Sequence, residues 1–344
     1  MVEPILKPRR KLAALSRSQK ATFRRRLLAW YSVNARDLPW RVSRDPYRVW
    51  VSEIMLQQTR VGAVLEHYQR FLRRFPAVEK LAAAREASVL AAWSGLGYYR
   101  RARMLHAAAK EMVRNGAGFP KTVEGLRSLP GIGRYTAAAI ASIAFEAPVA
   151  VVDGNVNRVL ERVLGVPLAG EDLWQAADDL LSWQRPGDFN QAMMELGATL
   201  CTPRAPLCLT CPVIELCATR GELAATAKAA PQRKREIHYA LNCRNGDVFL
   251  VQRPPDASLM PGMWELPELP KTNDAAPTWL TLRHSITVTD YVVQVTQSPP
   301  PEGTRGSWVP RSRLTRLPLT GLARKILGKA DLISAVTSRH PERV

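Results

Sequence analysis

Apolar residues return at helical spacing from Ser18 to about Leu200, as in Phe23, Leu27, Trp30 and Tyr31, and predict helices almost throughout that stretch. Short breaks separate them at Leu38-Pro39, Phe75-Pro76, Gly95-Leu96-Gly97, Phe119-Pro120, Pro130-Gly131 and Arg185-Pro186-Gly187. Among the predicted helices are a short one over 122–128, an Ala-rich one over 134–145 and one over 154–164, and no strand is expected before a cysteine-rich segment at 201–217. From about Glu236 the period becomes two. Ile237 to Cys243, the turn Asn245-Gly246-Asp247 and Val248 to Arg253 read as a β-hairpin. Another β-type run spans His284 to Thr296, 297–301 is a Pro-rich loop, and an amphipathic helix starts near Thr320. No repeat of fixed period is present. The expected organisation is a basic arm at 1–17, a helical domain at 18–218, an Ala, Lys and Arg-rich linker at 219–235 and a small α+β domain at 236–344.

Composition sharpens this picture. With 344 residues, 46% of them apolar and 23% charged, the chain suits two globular domains and not a disordered, collagenous or membrane protein. Its charge is unusual: 49 Lys and Arg against 30 Asp and Glu leave +19, and 38 of the basic residues are Arg. Such an excess calls for a polyanion, and the guanidinium bias favours phosphate, which accepts two parallel hydrogen bonds. A membrane surface would satisfy the same charge, but the longest apolar stretch, Ala137 to Val152, is broken by Glu146 and Pro148, so no spanning helix is expected. The start of the chain lacks the apolar core of a secretory signal, which points to a reducing, cytoplasmic compartment and away from disulfides. Residues 1–26 carry nine Lys or Arg and one acid, Glu3, and read as a solvated arm, a phosphate-contacting arm or an organelle transit peptide.

Four features carry candidate chemistry. Cys201, Cys208, Cys211 and Cys217 stand with six, two and five residues between them, and four thiols within 17 positions imply a soft metal or a cluster. A zinc ribbon pairs two Cys-x-x-Cys hooks; the single hook here favours one 4Fe-4S cluster. Cys243 reads as a small core residue of a strand. Leu129-Pro130-Gly131-Ile132-Gly133 joins two predicted helices, and Gly131 and Gly133 allow a tight turn whose N–H groups, with the next helix N-terminus, suit a phosphate oxygen. Glu53 has Val49, Trp50, Leu56 and Gln57 as helical neighbours, so its carboxyl should resist ionisation and serve as a proton donor near neutrality, unless it simply reaches into water. Asp153 follows the apolar run Val149 to Val152 and opens the helix over 154–164. It reads as an N-cap, as a carboxylate that stabilises a developing cation, or as both.

This order of motifs, with Leu38-Pro39-Trp40-Arg41, Trp50-Val51-Ser52-Glu53-Ile54-Met55-Leu56-Gln57-Gln58-Thr59, Gly95-Leu96-Gly97-Tyr98-Tyr99 and Val152-Asp153-Gly154-Asn155-Val156, resembles the helix-hairpin-helix superfamily of DNA glycosylases. Within it the chain resembles the adenine-specific mismatch glycosylases (MutY), which remove adenine mispaired with 8-oxoguanine. The resemblance runs from about Arg36 to Leu327. It implies a mainly α helix-hairpin-helix catalytic core with a 4Fe-4S loop, followed by an α+β Nudix-like domain that reads the lesion. It further implies that Glu53 protonates adenine, that Asp153 stabilises the oxocarbenium-like sugar, with or without transient covalent capture, and that Asn155 and Tyr135 support them. Arg41 and Gln191 fall where relatives line the adenine pocket. Gln58 and Tyr98 resemble wedge residues that hold the base stack open, with Leu56, Thr59 and Leu96 nearby. The implied partner is double-stranded DNA with an A:8-oxoguanine or A:G mispair, bound by a monomer that is nucleoid-associated and open to repair or replication partners.

Two positions refine the resemblance. Endonuclease III-type lyases carry a lysine after the hairpin, where this chain has Tyr135; a Schiff base needs an amine, so base removal without strand cleavage is expected. Arg253-Pro254-Pro255 through Leu266-Pro267 resembles a Nudix-like segment, but without the clustered glutamates that hold magnesium, so it should read and not hydrolyse. The family's Phe-Ser-His loop aligns with Ile286-Thr287-Val288, where only the Thr287 hydroxyl remains, and weaker discrimination of 8-oxoguanine from guanine is expected. The competing readings are an endonuclease III-like lyase and a non-catalytic iron-sulfur DNA-binding protein; a pure binder has no use for Glu53 among apolar neighbours.

Overall fold

The structure, a computed structural model, describes residues 15–116, 118–221, 233–270, 277–286 and 289–333. Most of the basic arm, the centre of the linker and the lesion-loop positions Thr287 and Val288 lie outside the described residues. In chain order the helical part comprises α1 (Arg17–Asn34), α2 (Pro46–Leu56), α3 (Val61–Arg74), α4 (Val78–Ala82), α5 (Glu86–Trp93), α6 (Arg100–Asn115), α7 (Val123–Arg127) and α8 (Arg134–Phe145). It continues with α9 (Gly154–Leu164), α10 (Gly170–Leu180) and α11 (Pro186–Thr199). Then come β1 (Arg233–Ala240), β2 (Cys243–Arg244), β3 (Asp247–Gln252), β4 (Trp264–Glu265), β5 (Glu268–Leu269), β6 (Thr278–Ile286), β7 (Thr289–Thr296) and β8 (Ser307–Pro310). Helices α12 (Arg311–Leu314) and α13 (Gly321–Lys329) end the described chain.

The chain divides into two compact units, 1–53 with 117–227 and 54–116 with 228–344, so the division falls inside α2. In the first unit the apolar faces of α1, α9, α10 and α11 meet in one core, in which Phe23, Leu27, Leu160, Ala192 and Leu196 are shut off from solvent. Local signals start these helices. Ser16 accepts a hydrogen bond from the Gln19 N–H while the Gln19 side chain accepts from the Ser16 N–H, a reciprocal cap that opens α1. Asp153 opens α9 by accepting from the Asn155 and Val156 N–H groups, and Thr122 opens α7 by accepting from the Gly125 N–H, each without a reciprocal bond.

In the second unit α3 to α6 form a helical group. Two sheets follow, one ordered β5-β1-β7-β6 and the other β2-β3-β4 with β8 on β3. Strand β1 runs parallel to β7, with Tyr239 opposite Val295, while the other pairings are antiparallel. Val248, Leu250, Val293 and Val295 from both sheets bury against Ile326 and Leu327 of α13.

Two expectations need correction. The Asn245-Gly246 turn forms, with both residues at positive φ, but it joins β3 only to the two-residue β2; Ile237 to Ala240 leave to pair with β7 in the other sheet. The long alternating run is decided by parallel pairing that lies far away in sequence, which no local turn signal announces. The β-type run His284 to Thr296 holds the end of β6 and all of β7. Cys243 is exposed and not a core residue, because the chain changes sheet there and the side chain is left at an edge.

Candidate active site

Helix α2 places Glu53 in its third turn, and Tyr47, Trp50 and Phe119 wall the same helix through edge-to-face ring contacts at 6.3 and 5.8 Å. Glu53 is 5% exposed, and that burial pushes its carboxyl up to about 7, which a hydrogen bond from Tyr135 opposes and the negative charge of Asp153 reinforces. The Tyr135 hydroxyl donates to Glu53 Oε2 at 2.8 Å and also reaches Met194 Sδ at 3.5 Å. Burial, together with Glu53 and Asp153, raises the Tyr135 phenol well above its ordinary range, so it stays a donor. The acid expected from sequence is therefore protonated for much of the neutral range and does not reach into water.

Asp153 is held by the first turn of the helix it opens. Its Oδ1 accepts from the N–H groups of Asn155 at 2.9 Å and Val156 at 2.7 Å, and its Oδ2 accepts from the Asn155 side chain at 2.9 Å. Both sequence readings of Asp153 are thus compatible: the cap fixes the carboxylate, and the carboxylate is close enough to influence Glu53 and Tyr135. Asn155 accepts in turn from Arg158 Nη2 at 2.8 Å, and Arg158 also donates to the Gly197 and Cys201 carbonyls, each at 2.8 Å. Gly197 lets α11 pass this turn closely, since a Cβ there would sit 2.6 Å from Asn155 Cβ and 3.0 Å from its Cα. Gly197→Ala is expected to lower stability by about 2 kcal/mol in urea unfolding, as overpacking of close helices does. A loss below about 0.5 kcal/mol would mean that the helices separate freely.

Sequence reasoning missed Glu195. It is buried on α11, one turn after the half-buried Gln191, and accepts from Arg36 Nε at 2.6 Å, Arg36 Nη2 at 2.8 Å and Arg41 Nη2 at 2.8 Å. Burial alone would push its carboxyl up; the two guanidinium groups overcome that and hold it down at about 2. Arg41 also stands 5.4 Å from the Tyr31 ring, and its charge is felt at Glu53. The signal that singled out Glu53, an acid inside the apolar run Ala192-Met193-Met194-Glu195-Leu196, was present here too.

In the hairpin Gly131 takes φ +75, whereas Gly133 is extended with φ −85, so only the first glycine is required by backbone conformation. Gly133 instead leaves open space, because a Cβ there would meet nothing within 4 Å. Both are exposed, and their N–H groups have no backbone acceptor among the described residues. Arg134, next in the chain, is occupied by Glu171 and lies 4.0 Å over the Trp174 ring.

Cys201, Cys208, Cys211 and Cys217 line one cavity with Val159, Arg162 and Leu200. Burial pushes the Cys211 thiol up to about 11, and the neighbouring sulfurs add to the rise at Cys208 and Cys211. Among the described residues no three His, Cys, Asp or Glu groups converge tightly enough for a single metal ion. The donor set, four thiols on one cavity, would suit an iron-sulfur cluster, whose thiolate ligands need not converge on a single ion. Gly221 leaves room beside the set, as a Cβ there would lie 3.2 Å from Cys208 Sγ.

In the second unit Gln58 and Tyr98 are both exposed and both left-handed, at φ 54 and 47. Leu96 is buried, while Leu56 and Thr59 are half-buried around the same turns. Arg101 connects these turns, another residue that sequence reasoning passed over. Thr287 lies outside the described residues.

Helix, hairpin, helix and capped Asp153 define a base-excision glycosylase core, and the family model described as HhH-GPD superfamily base excision DNA repair protein matches residues 51–174. A Buchnera aphidicola (subsp. Acyrthosiphon pisum) adenine DNA glycosylase is 33% identical over 276 residues, covering 76% of this chain and 78% of that protein. The chain belongs to the adenine DNA glycosylase family. The Mus musculus and Rattus norvegicus adenine DNA glycosylases are 46% and 39% identical over 68% and 72% of this chain. Those stretches make up 48% and 60% of the two proteins, so the chain spans about half their length. Among solved structures, a thermostable thymine-DNA glycosylase matches with a TM-score of 0.56 and 30% identity over 59% of this chain and 97% of that one. A trapped endonuclease III–DNA covalent intermediate matches at 0.53 and 21% over 60% and 98%, a likeness of fold. No helix among the described residues is long and apolar enough to cross a membrane.

Proposed function

We propose that this chain removes adenine mispaired with 8-oxoguanine or guanine from double-stranded DNA and leaves the strand uncut. The observation that carries the reading is the pair of unlike carboxyls: Glu53, buried and raised to about 7, and Asp153, fixed by three hydrogen bonds and close enough to act on Glu53. Two such groups divide the barrier. Glu53 gives its proton to a ring nitrogen of adenine, so the electron pair of the N-glycosidic bond leaves with a neutral base. The Asp153 carboxylate stabilises the positive sugar, and water adds to the sugar carbon and releases the proton that restores Glu53. Arg41 and Gln191 line the base pocket, with Glu195 and Arg36 holding Arg41 in place.

The exposed N–H groups at Gly131 and Gly133 suit a phosphate oxygen, and Gln58 and Tyr98 suit the wedge that extrudes the base, a step costing a few kcal/mol. Cys201, Cys208, Cys211 and Cys217 would hold a 4Fe-4S cluster, and Arg158 and Arg162 tie the 201–217 loop to α9 by donating to the Cys201 carbonyl at 2.8 Å and to Cys201 Sγ at 3.3 Å. Residues 236–344, which hold most of β1 and all of β2 to β8, are read as the Nudix-like lesion reader, and the +19 charge supports DNA as partner.

The test is single-turnover incubation with duplexes holding adenine opposite 8-oxoguanine, guanine or thymine, followed by alkali. Adenine release opposite 8-oxoguanine and guanine, with strand cleavage only after alkali, is expected; release in none of the three overturns the reading. Borohydride trapping of a covalent enzyme–DNA adduct would favour the lyase, because Tyr135 offers no amine.

A further inference from the structure

Six acceptors gather around one side chain. Arg101, in the first turn of α6, donates through Nη1 to the carbonyls of Ile54 at 2.9 Å, Met55 at 3.0 Å and Gln57, and through Nη2 to Thr59 Oγ1 at 3.1 Å, Leu96 O at 3.3 Å and Gly97 O at 3.2 Å. Its guanidinium lies 5.5 Å from the Trp93 ring and 5.4 Å from the Tyr98 ring. Burial pulls it down to about 10, with only Tyr98 acting in the other direction, so no carboxylate compensates the charge. Nε is buried without an acceptor among the described residues. A cation kept under these conditions is held for its geometry, because removing it would strip the partners from carbonyls in two separate turns.

Those two turns contain Gln58 and Tyr98. The carbonyl that Arg101 grips in each is that of the residue immediately before, Gln57 and Gly97, and each following residue stands at the left-handed φ that a side chain rarely adopts. Trp93 Nε1 donates to the same Gly97 carbonyl at 3.2 Å. We propose that Arg101 is the positioning residue of the duplex wedge: its planar fork joins the turn after α2 to the turn before α6 and thereby sets the spacing and direction of the exposed Gln58 and Tyr98 side chains. This rests on reading those two residues as the wedge.

Arg101→Lys keeps the charge but replaces the fork with one ammonium that reaches at most three acceptors. In single-turnover assays the variant is expected to release adenine from a fully paired duplex about 100-fold more slowly, the scale of a misplacement near 1 Å. With the target adenine in an unpaired bubble it should stay within about threefold of the parent, because extrusion is then no longer required. Equal losses on both substrates would assign Arg101 to general structure, and no loss on the duplex would remove it from the wedge; either overturns the proposal. Should Arg101→Lys fail to fold, Thr59→Val removes one of the six acceptors and is expected to show the same split at about fivefold. A duplex with 2-aminopurine opposite 8-oxoguanine gives a readout that does not depend on bond cleavage. The parent should brighten it on binding and the variant should bind without brightening it. A parent that unstacks the probe yet releases no adenine would refute the activity and leave the wedge intact.

Discussion

Glu53→Gln is expected to lower the rate of adenine release by about 1000-fold, within the range that general acid catalysis contributes, while affinity for the mispaired duplex is retained. Gln keeps the size and still accepts from Tyr135, so the proton alone is lost. In the parent enzyme the rate should be flat below about pH 7 and fall about tenfold for each pH step above it, as Glu53 ionises. Tyr135→Phe removes a hydrogen bond that favours the ionised acid, so its alkaline limb should move upward. Stability moves the other way from activity. A carboxyl raised from 4.5 to about 7 by folding costs about 3 kcal/mol above pH 7, a cost that develops as pH climbs from 4.5 and is absent below it. The Gln variant should accordingly resist urea better than the parent at pH 8 and equally at pH 4. Full activity in the variant would require another acid.

Glu195→Gln should destabilise the fold by about 3 kcal/mol at pH 7, because Arg36 and Arg41 lose the charge between them while Arg41 remains largely buried. The value sits at the low end for a broken buried pair, since the Arg36 side chain is 39% exposed and water takes over part of its solvation. The sign follows from a carboxyl held at about 2 in the folded chain against 4.5 unfolded. Its contribution is complete above pH 4.5 and lost as pH falls toward 2, so the gap between parent and variant should close in acid. Urea unfolding at pH 7 and pH 3 checks it; a gap that does not depend on pH would mean that the two arginines carry no net charge interaction with Glu195.

The helices around the site were legible because each carries its own signals. The Ala-rich run 134–145 and the helix over 154–164 form within the predicted bounds, the latter opened by Asp153 as its local cap. Glu53 could be singled out for the same reason, since the residues three and four positions away on a helix are its surroundings in any fold. Glu195 shows the same apolar neighbourhood, but its importance depends on Arg36 and Arg41, about 160 and 154 positions earlier, and no local window contains them. Arg101 looked like one more cation in an Arg-rich chain until its six acceptors came into view.

Period, punctuation and residue chemistry along the chain were enough to determine helical identity and to single out the turn at 129–133, the four cysteines and the two carboxyls as candidates, because helix capping, side-chain period and thiol spacing act over a few residues; the family came from the resemblance of those motifs taken together. Tertiary packing alone decided that β1 abandons its neighbour for a parallel partner, that Cys243 faces outward, and that Tyr135, Asp153 and Arg41 act together on one buried acid. Those outcomes depend on electrostatics and pairing between segments brought close only by folding, where low dielectric makes the choice of neighbour set the proton affinity.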